Sequence, residues 1–262
     1  RDAAGNVFPE GGIDPESIRY SPATRSIFWA TESDVAGNPG LYQSRLDGSF
    51  LRAFAVPGHY NVTADGSAGI YSNLGFESLA ILPDGTSLLT GTENALVQDG
   101  DKATLEAGSP SRLVGFDIAS GQINGEWIYE NGPIHAKATA EPPYNDNGLS
   151  EFMAFDETHL LTVERSFAAG LGNEISFYLT DLSSGTDVAG KETIKGETVE
   201  PLVKQPVFTI GEGDFGGIDV DNIESVTFGP EIEGKRTLVI ASDNNFNANG
   251  QFTQFVVFTL DE

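Results

Sequence analysis

The sequence predicts an all-β protein, a β-propeller of four-stranded antiparallel blades, and three observations carry that reading. A strand–turn–strand unit with an acid near each outer end occurs four times along the chain. No stretch of ten or more residues keeps apolar side chains at helical spacing. The 31 glycines and 13 prolines among 262 residues suit many short strands joined by turns.

The clearest copy runs Phe76-Glu77-Ser78-Leu79-Ala80-Ile81, turns at Pro83-Asp84-Gly85 and returns as Leu88-Leu89-Thr90-Gly91-Thr92-Glu93. Glu77 and Glu93 are equally far from the turn, so hairpin pairing predicts near cross-strand neighbours. Like charges so placed destabilise a sheet unless something positive joins them. Glu16 and Glu32 are likewise centred on Thr24, and Glu151 and Glu164 on the turn from Asp156 to His159. A fourth copy sets Glu224 and Asp243 about the turn between Gly229 and Arg236. This is an internal repeat.

Each hairpin is followed by further strand-like runs. Leu41 to Leu46 and Leu51 to Val56 complete the first unit, and Arg112 to Ile118 and Gly125 to Tyr129 the second. Ile175 to Leu182 and Leu202 to Ile210 complete the third, and Phe252 to Leu260 ends the fourth. That last unit lacks an obvious fourth strand, which the N-terminal segment is expected to supply. The opening glutamates recur at intervals of 61, 74 and 73 residues. A blade takes ~40–50 residues, so each unit is one blade plus long loops. Residues 1–262 read as a single domain with four recognisable blades, in a complete ring of five or six.

The formal net charge of −25 argues against nucleic acid and anionic membrane surfaces as partners. It suits a protein that meets divalent cations or high salt, secreted or periplasmic. No apolar run approaches the ~20 residues of a membrane helix. With no cysteine, disulfides and thiolate metal sites are excluded. The start at Arg1-Asp2-Ala3 carries no signal peptide and reads as processed or truncated.

Around one axis, Glu16, Glu77, Glu151 and Glu224 would face a shared channel, with Glu32, Glu93, Glu164 and Asp243 beside them. Converging carboxylates raise one another's pKa. Oxygen donors in this number suit Ca²⁺, which takes ~6–8 of them, with Asn94 or Asn244 completing the shell. The alternatives are solvated acids, or acids neutralised by Arg165 or Arg19. Asp243-Asn244-Asn245-Phe246-Asn247 starts like a calcium loop, but Ala248 follows where glycine is expected, and it reads as a polar loop. His59, His135 and His159 fall in loops or turns and read as surface residues. Trp29, Trp127, Tyr42, Phe54, Phe116, Phe177 and Phe255 read as core packed between blades. No Gly-x-Ser-x-Gly elbow or phosphate loop is present.

Asp14-Pro15-Glu16, Phe76-Glu77-Ser78-Leu79-Ala80, Glu93-Asn94-Ala95-Leu96, Glu164-Arg165-Ser166, Asn222-Ile223-Glu224, Ser242-Asp243-Asn244-Asn245-Phe246 and Thr253-Gln254-Phe255 together resemble the phytase-like β-propeller family, labelled "esterase-like activity of phytase". The resemblance runs from Asp14 to Leu260. It implies hydrolysis of a small-molecule phosphoester or ester. A mechanism built on the residues has the channel acids hold Ca²⁺, with Glu77, Glu164 and Arg165 catalytic and Arg165 or Arg19 stabilising transition-state charge. Two departures stand out. The family's upstream blade, with its Gly-Gly-Leu-Ser-Gly-like opening, does not precede Asp14. Ser17, Ser78, Phe152 and Ser225 stand where the family often has glycine. With only 14 Lys plus Arg, a highly anionic substrate is poorly served. The second expectation is therefore a non-catalytic, calcium-stabilised binding or assembly module, whose partners are a separate N-terminal fragment or other chains.

Overall fold

The computed structural model describes residues 1–247 and 250–260. Alternating apolar strands fold into consecutive antiparallel sheets. The first comprises β1 (Ile13–Ser21), β2 (Ser26–Asp34), β3 (Gly40–Ser44) and β4 (Phe50–Ala53). The second comprises β5 (Phe76–Ile81), β6 (Ser87–Ala95), β7 (Ser109–Asp117) and β8 (Ile123–Asn131). The third comprises β9 (Asn145–Ala154), β10 (His159–Ala168), β11 (Gly172–Asp181) and β12 (Val203–Gly211). The fourth comprises β13 (Ile223–Ile232), β14 (Lys235–Ser242) and β15 (Phe255–Thr259). Strand order within each sheet follows the chain, and the first strands pack on one another in the sequence β1, β5, β9, β13. This is a β-propeller, with the opening strand of each blade innermost.

The inner hairpins depart from simple pairing in one repeated way. In three blades the opening glutamate is an extra residue that faces no partner: Glu16 between Pro15↔Thr31 and Ser17↔Ala30, Glu77 between Phe76↔Thr92 and Ser78↔Gly91, and Glu224 between Ile223↔Ser242 and Ser225↔Ala241. Each is a β-bulge, which bends the strand and re-aims the side chain. In the third blade the extra residue is Ser150, between Leu149↔Glu164 and Glu151↔Val163.

Three apolar clusters fill the spaces between blades. Phe28, Phe54, Phe76 and Phe116 lie between the first and second, and Leu113, Tyr129, Leu149 and Phe152 between the second and third. Val163, Ile175, Phe177, Ile223 and Leu238 lie between the third and fourth. Trp127 packs against the middle cluster as expected. Three other aromatic expectations need correction. Trp29 stacks on Tyr42, with ring centroids 4.4 Å apart, on the outer face of the first blade. Phe255 is 73% exposed on the fourth. Neither face has a blade packed over it among the described residues. The N-terminal segment likewise stays on the first blade: Arg1 donates to the Gly48 carbonyl at 3.2 Å, and Phe8 meets Trp29 edge-on. It supplies no strand to the fourth sheet, which has three strands among the described residues.

The excursion between β11 and β12 is a strap across the second blade. Val188 and Leu202 donate from their backbones to the Glu126 and Ile128 carbonyls at 2.7 and 2.8 Å. Beneath it, fully buried Arg112 holds Asp99 through Nε and Nη2 (2.6 and 3.1 Å), Glu126 through Nη1 (2.9 Å) and the Lys191 carbonyl (2.9 Å). His59 joins this centre through Nε2 to Glu126 at 2.9 Å, so it is buried and not a surface residue.

Candidate metal centre

The bulges determine which acids reach the axis. Asp14, Glu16 and Glu32 bring one carboxylate oxygen each within 4.8 Å of one another, and so do Glu32, Glu77 and Glu93. Glu32 belongs to both groups. The five acids come from the first two blades, and they adjoin a cavity of about 250 Å³ whose walls include Glu16, Glu77, Glu93, Arg165 and Glu224. Two close approaches depend on glycine. A Cβ on Gly148 of β9 would lie 2.3 Å from Glu93 Cγ, and one on Gly75 would lie 2.9 Å from Glu32 Cγ. The Gly75 N–H also donates to Glu32 Oε1 at 3.1 Å.

Burial and mutual repulsion set the protonation of the group. Burial, then Asp14, Glu224 and Glu32, push Glu16 up to about 9. Burial, then Glu93, Glu16 and Glu32, hold Glu77 well above the usual carboxylate range. Glu93 rises to about 7 through burial, although the Arg165 guanidinium opposes the shift. Glu32 and Glu224 are raised too, each mainly by burial.

Arg165 is the cation of this cavity. Its Nη2 donates to Glu93 Oε1 at 3.1 Å, while its buried Nε has no partner. Asp146, whose Oδ1 is also buried without a partner, and Tyr144, which donates to its other oxygen, line the same space. Both were hidden in a stretch that reads as loop; β9 begins at Asn145, and the Asn-Asp-Asn run before Gly148 was the signal.

Three of the expected acids, Glu151, Glu164 and Asp243, stand outside these groups and outside the walls of the cavity. Glu151 is paired with Arg19 at 2.6 Å and accepts from Ser17 Oγ and the Leu79 N–H. Arg19 thus neutralises an acid, as one alternative held. Glu164 accepts from Tyr129 Oη at 2.6 Å and from the Gly132 N–H at 2.9 Å, and pairs with Lys204, all between the second and third blades. The cause is the third bulge, which puts Ser150 where the other blades have glutamate. A one-residue shift moves a side chain to the opposite face of the sheet. Asp243 is exposed and accepts from the Asn245 N–H at 3.2 Å within its own turn. Its neighbour Asn245 does line the cavity. Asn94 uses Oδ1 on the Ala103 N–H and Nδ2 on the Asn147 carbonyl, away from the acids. The calcium-loop pattern continues into Ala248, outside the described residues.

The arrangement is that of a propeller with an all-oxygen centre at its axis. The family model described as "Phytase-like: Esterase-like activity of phytase" matches residues 1–246, and the chain belongs to that family. Among solved structures, the chain is similar to one titled "Structure of Dos1 propeller", at 10% identity and a TM-score of 0.39. That match covers 95% of this chain and 57% of the other, so the chain spans a little over half of that structure's length. No curated protein sequence matches it.

Proposed function

We propose that the chain is a calcium-dependent hydrolase of small-molecule phosphoesters or related esters. The observation that carries this is the meeting of Asp14, Glu16 and Glu32, and of Glu32, Glu77 and Glu93, in two groups that share Glu32. Burial, and then the neighbouring carboxylates, push Glu16, Glu77 and Glu93 above the usual carboxylate range, a cost that a bound cation would offset. The donor set fits a hard ion, since it is all carboxylate, flexible and rich enough for the ~6–8 oxygens of Ca²⁺. When bound, the ion would polarise the ester oxygen and lower the pKa of water. Arg165, held at one edge by Glu93, lines the cavity and would orient an anionic ester oxygen and offset charge that develops on it. Glu77, a member of the acid centre whose carboxyl is pushed by burial well above the usual carboxylate range, is the group to hold or release a proton there. The family's name supports ester chemistry without fixing the substrate.

A second reading keeps the centre and drops the catalysis: a calcium-stabilised binding module. It is favoured by the apolar side chains left open on the outer blades, with Ile18 58% and Phe255 73% exposed. A separate N-terminal fragment or another chain would cover such faces. Either reading suits a secreted or periplasmic protein, where a charge of −25 meets ample calcium.

The test is thermal unfolding with Ca²⁺ and with EGTA, alongside p-nitrophenyl phosphate and p-nitrophenyl acetate turnover. A calcium-dependent rise in Tm with turnover that Glu77→Gln removes supports the hydrolase. The same rise without turnover supports the binding module, and no rise defeats the shared centre.

A further inference from the structure

A second, wider cavity adjoins the axial one. It measures about 530 Å³, between the third and fourth blades, and shares Tyr144, Asp146, Arg165, Asn222 and Asn245 with the axial cavity. Its volume is that of a small-molecule pocket. The unpartnered atoms Arg165 Nε and Asp146 Oδ1 belong to residues of this shared wall.

Beyond that wall the lining changes character. Phe167, Val220 and Phe252 give apolar faces. Asn173 and Gln251 add amides, and Glu212, Asp219 and Asp221 add carboxyls. Asp221 is a structural clamp, with Oδ1 accepting from the Asn222 N–H at 2.8 Å and Oδ2 from the Phe252 N–H at 2.5 Å. Glu212 accepts from the Asn173 N–H at 3.0 Å and shares a hydrogen bond with Asp219. Among the described residues of the lining Arg165 is the one cationic side chain, and Glu93 already holds it. Acceptors facing apolar walls suit hydroxyl groups on a carbon ring, whose O–H groups donate and whose C–H faces pack. A ligand with many negative charges would meet carboxylates on most sides, a repulsion that low local dielectric strengthens.

We propose that this cleft binds the uncharged polyhydroxyl part of an ester with a single anionic group, seats that group against Arg165, and rejects polyanions. The proposal rests on the metal-centre reading for the place of the ester group, and on the cleft alone for its selectivity.

The test is isothermal titration calorimetry with myo-inositol 1-phosphate and myo-inositol hexakissulfate, which share a ring and differ in charge, with and without excess Ca²⁺. The monophosphate should bind at least tenfold more tightly than the hexakissulfate. Phe252→Ser should weaken the monophosphate about tenfold while leaving the calcium-dependent rise in Tm unchanged. Asp219→Lys should strengthen hexakissulfate binding at least tenfold, a gain that misfolding cannot produce. Equal or tighter binding of the hexakissulfate to the unaltered protein would overturn the proposal, as would no binding of either ligand. Loss of the calcium response alone would defeat the metal reading, and the preference between the two ligands would still decide this one.

Discussion

Arg165 stands in the third blade at the ladder position that Glu93 holds in the second, and its Nη2 donates to Glu93 Oε1 at 3.1 Å. Counted from each bulge, Glu32, Glu93, Arg165 and Asp243 are equivalent residues. One blade therefore offers a guanidinium where its neighbours offer carboxylates, which makes the centre lopsided. Two blades supply the acids, and the third supplies a cation.

That relationship predicts the effect of Arg165→Gln. Removing one member of a largely buried ion pair leaves an uncompensated charge, at a cost of about 3–5 kcal/mol. The loss should appear in full in EGTA, in urea unfolding, and shrink when Ca²⁺ supplies the missing positive charge. Equal losses in both conditions would mean that Arg165 and the ion do not share a site.

The same acids predict an unusual pH profile. Glu93 at about 7 and Glu16 at about 9 both lie above the 4.5 of a free glutamate. Groups raised on folding bind more protons in the native state, so their contribution is complete below the unfolded pKa and lost as pH rises through the folded one. In EGTA, Tm should fall steadily between about pH 4.5 and 9. Saturating Ca²⁺ should flatten that slope, because the ion replaces the protons. A Tm in EGTA that climbs over this range would contradict the buried, mutually raised acids.

Glu93→Gln should separate stability from calcium binding. Without calcium, a neutral amide removes a buried carboxylate but also leaves Arg165 without its partner, so the two effects oppose and the fold should gain little or lose stability. With calcium at one hundred times the wild-type Kd, the ~2.7 kcal/mol of linked stability should largely vanish. Glu164→Gln is the contrast: it should leave the calcium response intact and destabilise the fold, since Lys204 loses its counter-charge and an amide nitrogen replaces the Oε2 that accepts from the Gly132 N–H.

The blades were legible because a strand hairpin leaves both a hydrophobic alternation and a turn in the sequence, as at Pro83-Asp84-Gly85. The bulges were not, because an unpaired residue leaves no mark on composition. In three blades the omission did no harm: Glu16, Glu77 and Glu224 are themselves the extra residues, and two of them join the acid groups. In the third, Ser150 is extra, so Glu151 is taken up by Arg19 and Ser17 of β1 and the Leu79 N–H of β5, and Glu164 by Tyr129 and Lys204, both outside the acid groups. Phe152, alone in following its blade's glutamate where the others have serine, was the visible sign of the slip. Asp146 was missed because its strand begins inside a stretch with loop composition.

Arg112→Leu tests how the second and third blades are joined. Its guanidinium sits between Asp99 and Glu126, receives the strap at the Lys191 carbonyl, and is fully buried. Leucine fills part of the volume but leaves two buried carboxylates with no cation beside them, and Glu126 Oε2 already lacks a partner. The expected loss is at least about 3–5 kcal/mol. Hydrogen exchange should show the strap opening first, at the amides of Val188 and Ile194, which bond to the Glu126 carbonyl and to Asp99. The axial centre is built from other strands, so calcium should still raise Tm by the same amount. Uniform loss of protection across all four blades would mean that the strap has no independent stability and that Arg112 holds the whole ring.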